Sequence, residues 1–580
     1  MADPRGGPTP VPRVVSVVPD VPAINKEFDY LVPDHLAGRV RVGTVVRVEL
    51  HGRRVGGWVV RDGVPPRAGI NLRSLSRVTG WGPPSDVVEL TQWASWRWAG
   101  RRSAFLRTAS PETRVAALPP PAWGAPPAGG SRQVLDEALA AHARRLVLRL
   151  PPAAALLPVL LAAAGRGPTL VIAPAVAAVA ALAAGLRQAG VPVAVVPGDW
   201  AQAAAGAQVV LGTRAAVWAP CPDVAVVVVL DGHDERLQQE QAPTWNGWVV
   251  AAERAARAGI PCIVVSPCPT VELLSWGCVT VPSRSVERQG WAALEVVDRR
   301  RDDPRTGLYS ARLVNLLRTS GRVVCVLNRK GRARLLACTG CGELARCEVC
   351  GGAVALDPTG QLSCTHCGAS RPAVCLTCGS TRLGLLRIGV SRAREELEAL
   401  AGRPVGEITA ETSWQPDAPV LVGTEAVLYR LPQADAIAFL DFDQELLAAR
   451  FRAGEEALAL LARAARLVGG RERGGRVLVQ TRVPHHDAVQ AALLADPSRL
   501  TGPEAEVRRT LRLPPWTALA LVSGQAAPTF VAALDGVEVA GPASGRWLVK
   551  ASDHERLLTA LASVPRPGGR LRIEVDPLRF

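Results

Sequence analysis

Four Cys-x-x-Cys-Gly units crowd into one stretch of the chain: CTGCG at Cys338–Gly342, CEVCG at Cys347–Gly351, CTHCG at Cys364–Gly368 and CLTCG at Cys375–Gly379. Two intervening residues let both sulfurs of a unit reach one metal from a tight turn. The glycine that follows permits a positive φ and leaves room for backbone N–H groups to point at the thiolates. Eight thiolates in four pairs suit two tetrahedral four-cysteine sites, with Zn2+ the expected metal. The inner pairs, Cys347/Cys350 and Cys364/Cys367, have the separation of one zinc ribbon, and the outer pairs, Cys338/Cys341 and Cys375/Cys378, would close around it; sequential pairing is the alternative. Either way both sites are closed, with no position for water, and so are structural. His366, between two ligands, reads as an exposed ribbon residue. Disulfides belong to secreted chains, and an iron–sulfur cluster does not explain a glycine after every second cysteine.

The 580 residues give room for about three to five domains, and an apolar share of 48% supplies real cores. The net charge of +15 suggests a polyanionic partner, most often nucleic acid. The basic residues are almost all arginine; lysine stands only at Lys26, Lys330 and Lys550. The leading MADPRGGPTP lacks a basic-then-apolar signal pattern, and the longest uncharged run, Gly167 to Leu186, is broken by Pro174. These features predict a cytoplasmic protein with no membrane partner.

In chain order, Val14–Val18, Phe28–Val32, Gly43–Leu50 and Arg54–Val60 read as strands of a small β-rich module ending near residue 80. A Trp-rich helical segment follows at Ser85–Ala99, its Trp93, Trp96 and Trp98 read as core residues. The Pro-rich Leu118–Gly130 reads as an extended spacer. From Ser131 to about Val281, apolar runs at Leu146–Leu150, Thr169–Ile172, Val191–Val196, Ala207–Leu211, Val224–Leu230 and Cys262–Ser266 alternate with Ala-rich helical stretches, the pattern of a doubly wound parallel sheet. A second β/α unit starts at Arg322–Leu327, is interrupted by the cysteines, and resumes through Val420–Val422, Ala436–Phe439 and Arg476–Gln480. A mixed α/β tail ends the chain.

Two β/α lobes with an eight-cysteine insert in the second resemble the PriA family of replication-restart helicases. Phe28-Asp29-Tyr30 followed by Val46-Arg47-Val48 resembles the family's N-terminal DNA-binding module, Gly212-Thr213-Arg214-Ala215-Ala216 its GTRSA motif, and Gln239–Pro243 the stretch after its DEEH motif. Ser266–Thr270 stands where the family has SATPS, and Asn328-Arg329-Lys330-Gly331 resembles NRRG; Leu513–Thr517 and Asp576-Pro577 also fit. The resemblance implies a multidomain α/β fold: an N-terminal 3′-end DNA-binding module with its helical segment (1–117), a linker (118–130), a first RecA-like helicase lobe (131–283), a second lobe in two parts (284–335 and 383–482) around a two-zinc ribbon insert (336–382), and an α/β C-terminal domain (483–580). Only about thirty residues, largely the linker, occupy the place of the family's winged-helix domain, so a complete winged helix is not expected.

The family hydrolyses ATP, which needs a Gly-rich loop with lysine around the phosphates, carboxylates for Mg2+ and water, and an arginine for the transition state. Here the loop reads Pro151-Pro152-Ala153-Ala154-Ala155, and no lysine is followed by Ser or Thr. Prolines remove the N–H donors that a phosphate nest requires. Anchored on Gln239–Pro243, the DEEH positions hold Leu230, Asp231, Gly232 and His233; a one-residue gap restores Asp231 as the metal ligand but leaves Gly232 for the catalytic glutamate. The family's QxxGRxGR falls on Arg463–Gly470, where both family arginines become non-basic residues, with Arg466 and Arg471 adjacent. Losing an arginine finger alone costs on the order of 10³–10⁵ in rate. No catalytic residue is therefore assigned, and the ATP and Mg2+ that the resemblance implies lack the groups that would use them.

For the DNA-binding module the resemblance points to Phe28 stacking on the terminal base, Asp29 accepting from a free 3′-hydroxyl, and Arg73 meeting phosphate, with Gly52 as a pocket glycine. Phe28 as core and Asp29 as a turn residue is the competing assignment. The expected function is that of a restart protein that binds stalled or abandoned forks and promotes primosome assembly and reloading of the replicative helicase without ATP-driven unwinding. Its expected partners are forked and single-stranded DNA, primosome proteins, the replicative helicase and single-strand-binding protein; its expected cofactors are two Zn2+. The alternatives are an active 3′–5′ helicase with an unconventional nucleotide site, and a protein-interaction module that has lost DNA.

Overall fold

The computed structural model describes residues 12–22, 24–65, 71–124, 144–300, 308–327, 336–349, 351–357, 359–364, 367–385, 390–408 and 417–580. The chain forms two compact units. The first comprises Met1–Leu146, Leu156–Val264 and Leu513–Pro577; the second comprises Val147–Ala155, Val265–Arg512 and Leu578–Phe580.

The first unit opens with an antiparallel five-stranded sheet of β1 (Val14–Pro19), β2 (Phe28–Leu31), β3 (Val45–Leu50), β4 (Arg53–Asp62) and β5 (Arg77–Gly80), in the order β2-β1-β4-β3-β5. Strand alternation puts Val15, Val17, Tyr30, Val46 and Val48 on one buried face. The β3–β4 hairpin turns on His51 and Gly52, with φ of 51° and 76°, the doubly left-handed turn that favours glycine at its second position. The Trp-rich segment is a helix, Ser85–Arg97, followed by a second, Arg102–Ala109. Trp98 is buried and edge-packed on Trp93 at 5.3 Å, whereas Trp96 is 43% exposed.

The parallel sheet expected from the apolar runs is present. Its strands are β6 (Arg145–Arg149), β7 (Thr169–Ile172), β8 (Val193–Val196), β9 (Val209–Gly212), β10 (Val226–Leu230), β11 (Cys262–Ser266) and β12 (Cys278–Thr280), in the order β12-β6-β11-β10-β7-β9-β8. The pairs β10–β7, β7–β9 and β9–β8 are parallel. The Pro-rich segment departs from a free spacer over its described part. Ala122 bridges Ala207 in parallel, its N–H donates to the Gly206 carbonyl at 2.9 Å, and Gln202 Nε2 donates to the Pro120 carbonyl at 3.1 Å. Proline removes donors only at its own positions, so Ala122 still pairs.

In the second unit, β13 (Ala293–Asp298), β14 (Val323–Val326), β20 (Val405–Ile408), β21 (Val420–Gly423), β22 (Ala436–Phe439) and β23 (Arg476–Thr481) form an all-parallel sheet in the order β13-β23-β22-β14-β21-β20. Val324, Val326, Leu421, Ile437 and Phe439 enter one core; Val323, Cys325, Val420, Val422 and Ala438 enter another. Both faces are covered, which is why these strands read as unbroken apolar runs.

Between β14 and the helix Val390–Ala401 lies the cysteine insert, with β15 (Leu336–Cys338) paired to β19 (Leu383–Leu385) and an antiparallel sheet of β16 (Val354–Leu356), β17 (Gln361–Cys364) and β18 (Ser370–Pro372). The tail, in the first unit, is the antiparallel sheet β25-β26-β24-β27, built from β24 (Ala518–Ser523), β25 (Glu538–Ala543), β26 (Arg546–Ala551) and β27 (Arg572–Val575).

Candidate metal centres and nucleic-acid interface

The first cysteine and the glycine of each Cys-x-x-Cys-Gly unit are joined in the same way. The glycine N–H returns to the carbonyl of the first cysteine: Gly342 to Cys338 at 2.9 Å, Gly351 to Cys347 at 3.0 Å, Gly368 to Cys364 at 3.1 Å and Gly379 to Cys375 at 2.9 Å. All four glycines have positive φ, between 68° and 76°. The first cysteine's N–H donates one residue further on, to Glu343, Gly352, Ala369 and Ser380 respectively. Amides then face the sulfurs, as Gly340 N–H faces Cys338 Sγ and Val349 N–H faces Cys347 Sγ, both at 3.4 Å. Burial would raise the Cys338 thiol, but the N–H groups of Cys341 and Gly340 outweigh it and hold it down to about 6.

The sulfurs gather in two groups. Cys338, Cys341, Cys375 and Cys378 form one, with all Sγ atoms within 4.8 Å; Cys347, Cys364 and Cys367 form the other. Cys350 and His366 lie outside the described residues. The approaches Cys338–Cys378, Cys341–Cys375 and Cys347–Cys367 measure 3.5, 3.5 and 3.4 Å. They are far longer than a disulfide of about 2.05 Å, and close to the roughly 3.8 Å separation of sulfurs around a tetrahedral ion at about 2.3 Å. Both clusters have the donor set and spacing to hold a metal ion, consistent with zinc.

In the N-terminal module, Phe28 and Asp29 occupy successive positions of β2 and so point to opposite faces. Phe28 is half-buried against the module's core. Asp29 accepts from Ser16 Oγ at 2.6 Å. The Arg73 carbonyl accepts the N–H of Leu31 at 2.9 Å, so the Arg73 segment runs beside β2, while its exposed guanidinium pairs with Glu49. The structure thus brings Asp29 and the Arg73 backbone onto neighbouring segments, with the half-buried Phe28 on the opposite face of β2.

The loop that follows β6 is spent on its own packing. Pro151 and Pro152 have no N–H, the Ala153 N–H donates to the Gly290 carbonyl at 3.0 Å, and the Ala154 N–H donates to the Pro151 carbonyl at 3.0 Å. Arg466 Nε donates to the Pro152 carbonyl at 3.1 Å. The helix beyond, Leu157–Ala164, carries Pro158 in its first turn. At the DEEH-like stretch, Leu230 ends β10 fully buried, and Asp231 follows with φ of 51°. The segment Asn328–Gly331 lies outside the described residues.

Buried arginines are what sequence reading missed. Arg97 NH2 pairs with Asp576 at 2.6 Å, His554 Nε2 meets the other oxygen of that carboxylate at 2.7 Å, and Gln238 Nε2 donates to the Asp576 carbonyl at 2.8 Å. Thr244 Oγ1 adds a bond to the Val575 carbonyl at 3.1 Å. The residues flanking Gln239–Pro243 are therefore fastened to the terminal Asp576. Burial would raise the Asp576 carboxyl, but Arg97 and His554 outweigh it and hold it well below the usual carboxylate range. In the second unit Arg508, fully buried, joins Glu455, Glu272 and Glu504 at 2.6, 3.0 and 2.8 Å. Arg299 is likewise buried, and Arg300 is paired with Asp298. Among the described residues no helix is long and apolar enough to cross a membrane.

Residues 16–111 match a family described as the 3′DNA-binding domain (3′BD) of PriA. The chain is 30% identical over 575 residues to the probable replication restart protein PriA of Mycobacterium leprae, covering 87% of this chain and 86% of that protein. Against its Mycobacterium tuberculosis (strain H37Rv) counterpart it is 29% identical over 585 residues, covering 90% and 88%. Against the replication restart protein PriA of Bacillus subtilis it is 26% identical over 348 residues, covering 54% and 43%. A match of that extent, spanning most of both proteins and joined to a 3′DNA-binding domain at the N-terminal sheet, makes this chain a member of the PriA family of replication restart proteins.

Proposed function

We propose that the chain is a restart protein that grips the 3′ end at an abandoned fork and helps primosome proteins reload the replicative helicase, without unwinding DNA by ATP hydrolysis. The observation that carries this reading is the loop Pro151–Ala155. Two of its residues have no N–H, and the next two N–H groups already serve carbonyls, so four of its five positions have no N–H to offer a triphosphate. The Arg466 side chain, next to the position of the family's arginines, holds that loop's Pro152 carbonyl. In this reading each parallel sheet is kept as a scaffold, one in the unit of the DNA-binding module and the other in the unit of the cysteine insert.

In this reading Phe28 stacks on the terminal base, Asp29 accepts from the free 3′-hydroxyl, and Arg73 exchanges Glu49 for a phosphate. Two Zn2+ hold the insert: one on Cys338, Cys341, Cys375 and Cys378, the other on Cys347, Cys350, Cys364 and Cys367. The insert serves single-stranded DNA and primosome partners. The test is fluorescence anisotropy of a labelled fork with metal-replete protein. The expected result is structure-specific binding that falls steeply with salt and is indifferent to ATP. Unchanged anisotropy at low salt would leave a protein-interaction module in its place.

A further inference from the structure

A cavity of about 340 Å3, untouched by Phe28, Asp29, Arg73 or the cysteine clusters, is lined by Arg41, Trp81, Pro84, Asp86, Pro220 and Pro222 among others. Its volume lies within the range of small-molecule pockets, about 300–1,000 Å3. Arg41, Trp81, Pro84 and Asp86 belong to the stretch that matches the 3′DNA-binding domain.

Gly82, which lines the pocket, approaches Gly43 closely. Gly43 has φ of 90°, and a Cβ on it would overlap the Pro83 carbonyl; a Cβ on Gly82 would overlap the Gly43 carbonyl. This close approach brings the loop that leaves β5 against the turn that leads into β3. The Arg41 N–H is held by Thr44 Oγ1 at 3.0 Å, and its guanidinium lies 3.0 Å over the Trp81 ring centroid. The result is a flat cationic plate backed by an indole. Around it stand three prolines and Cys221, whose thiol burial pushes up to about 11 and so keeps neutral. Asp86, half-exposed and 3.4 Å from Arg254, supplies acceptor oxygens.

A flat cationic plate, apolar walls and carboxylate acceptors, Asp86 with Asp223 also in the lining, match a single nucleotide. Its ring stacks on the guanidinium, its phosphate meets the Arg41 charge, and its ring N–H groups reach Asp86. We propose that this cavity binds one nucleotide, as an unstacked residue of single-stranded DNA or as the free monophosphate, giving the DNA-binding module a second contact apart from the 3′-end residues. This rests on the reading of the chain as a DNA-binding protein.

The test uses the full chain with a single-stranded oligonucleotide carrying 5-iododeoxyuridine and, in a separate arm, 5-iodo-dUMP alone, each photocrosslinked and mapped by mass spectrometry. The expected adducts are on Trp81 or Cys221. Filling the cavity from its exposed rim with Ala258→Trp should abolish them and weaken oligonucleotide binding roughly tenfold, the scale of one lost base stack. An adduct in the oligonucleotide arm alone assigns the pocket to strand DNA, and an adduct with 5-iodo-dUMP alone assigns it to free nucleotide. Oligonucleotide binding with adducts confined to other residues and an unchanged Ala258→Trp affinity overturns the pocket while leaving DNA binding intact. No oligonucleotide binding, with Trp81 still marked by 5-iodo-dUMP, overturns the DNA reading and leaves the pocket.

Discussion

The Ala153 N–H donates to the Gly290 carbonyl at 3.0 Å, and Gly290 has no room for a side chain, because a Cβ there would lie 2.5 Å from Cβ and Cγ of Pro151. The loop that would cradle phosphates is thus packed against a neighbouring helix end and hydrogen-bonded to it. Gly290→Ala is expected to overpack this contact and lower stability by about 1–3 kcal/mol, measured by chemical denaturation. An unchanged midpoint would mean that the loop is free to move away.

Asp576 ties three distant parts of the first unit together through Arg97, His554 and the Gln238–Thr244 stretch. Removing one partner of a buried ion pair leaves the other uncompensated, so Asp576→Asn is expected to cost about 3–5 kcal/mol. The sign with pH follows from the depressed folded-state pKa. The carboxylate's contribution is fully present above its unfolded value of about 4 and is lost progressively below that, as pH falls through the depressed folded value. Denaturation midpoints of wild type and Asp576→Asn should therefore differ most at neutral pH and converge below about pH 4.

Metal release with a mercurial and a colorimetric chelator should give two zinc equivalents per chain. Cys341→Ser and Cys364→Ser should each lose one, because each removes a ligand from a different sulfur group. Loss of both equivalents from either single variant would mean that the clusters are not separate sites. Chelation should raise hydrogen exchange in the insert, whose small core holds Leu336, Val354 and Leu362 together with Cys347 and Cys364.

Asp29→Ala should erase discrimination between forks ending in a 3′-hydroxyl and in a 3′-phosphate. A hydrogen bond to a charged group contributes about 1.5–3 kcal/mol, so the preference lost is roughly 10- to 150-fold. Equal binding of the two ends by wild type would remove Asp29 from the 3′ pocket.

The strands Thr169–Ile172, Cys262–Ser266 and Ala436–Phe439 were legible to the residue because strands covered on both faces leave a continuous apolar signature. The cysteine turns were legible because the glycine that each needs is written beside its ligands. The helix Arg102–Ala109 was not, since Arg102 looks like surface yet is buried by Glu27, Thr91 and the Val88 carbonyl. Strand Glu538–Ala543 is exposed throughout and carries no alternation to detect. The Arg97–Asp576 pair joins residues 479 apart, and the Arg41–Trp81 stack joins a turn to a strand end. No local pattern encodes either.

The most direct measurement is phosphate release from Mg·ATP by the metal-replete chain, with and without forked DNA. The account predicts no release above the protein-free background in either condition, because the N–H groups of Ala153 and Ala154 are already committed to carbonyls. DNA-stimulated turnover that disappears in Asp231→Asn would contradict it.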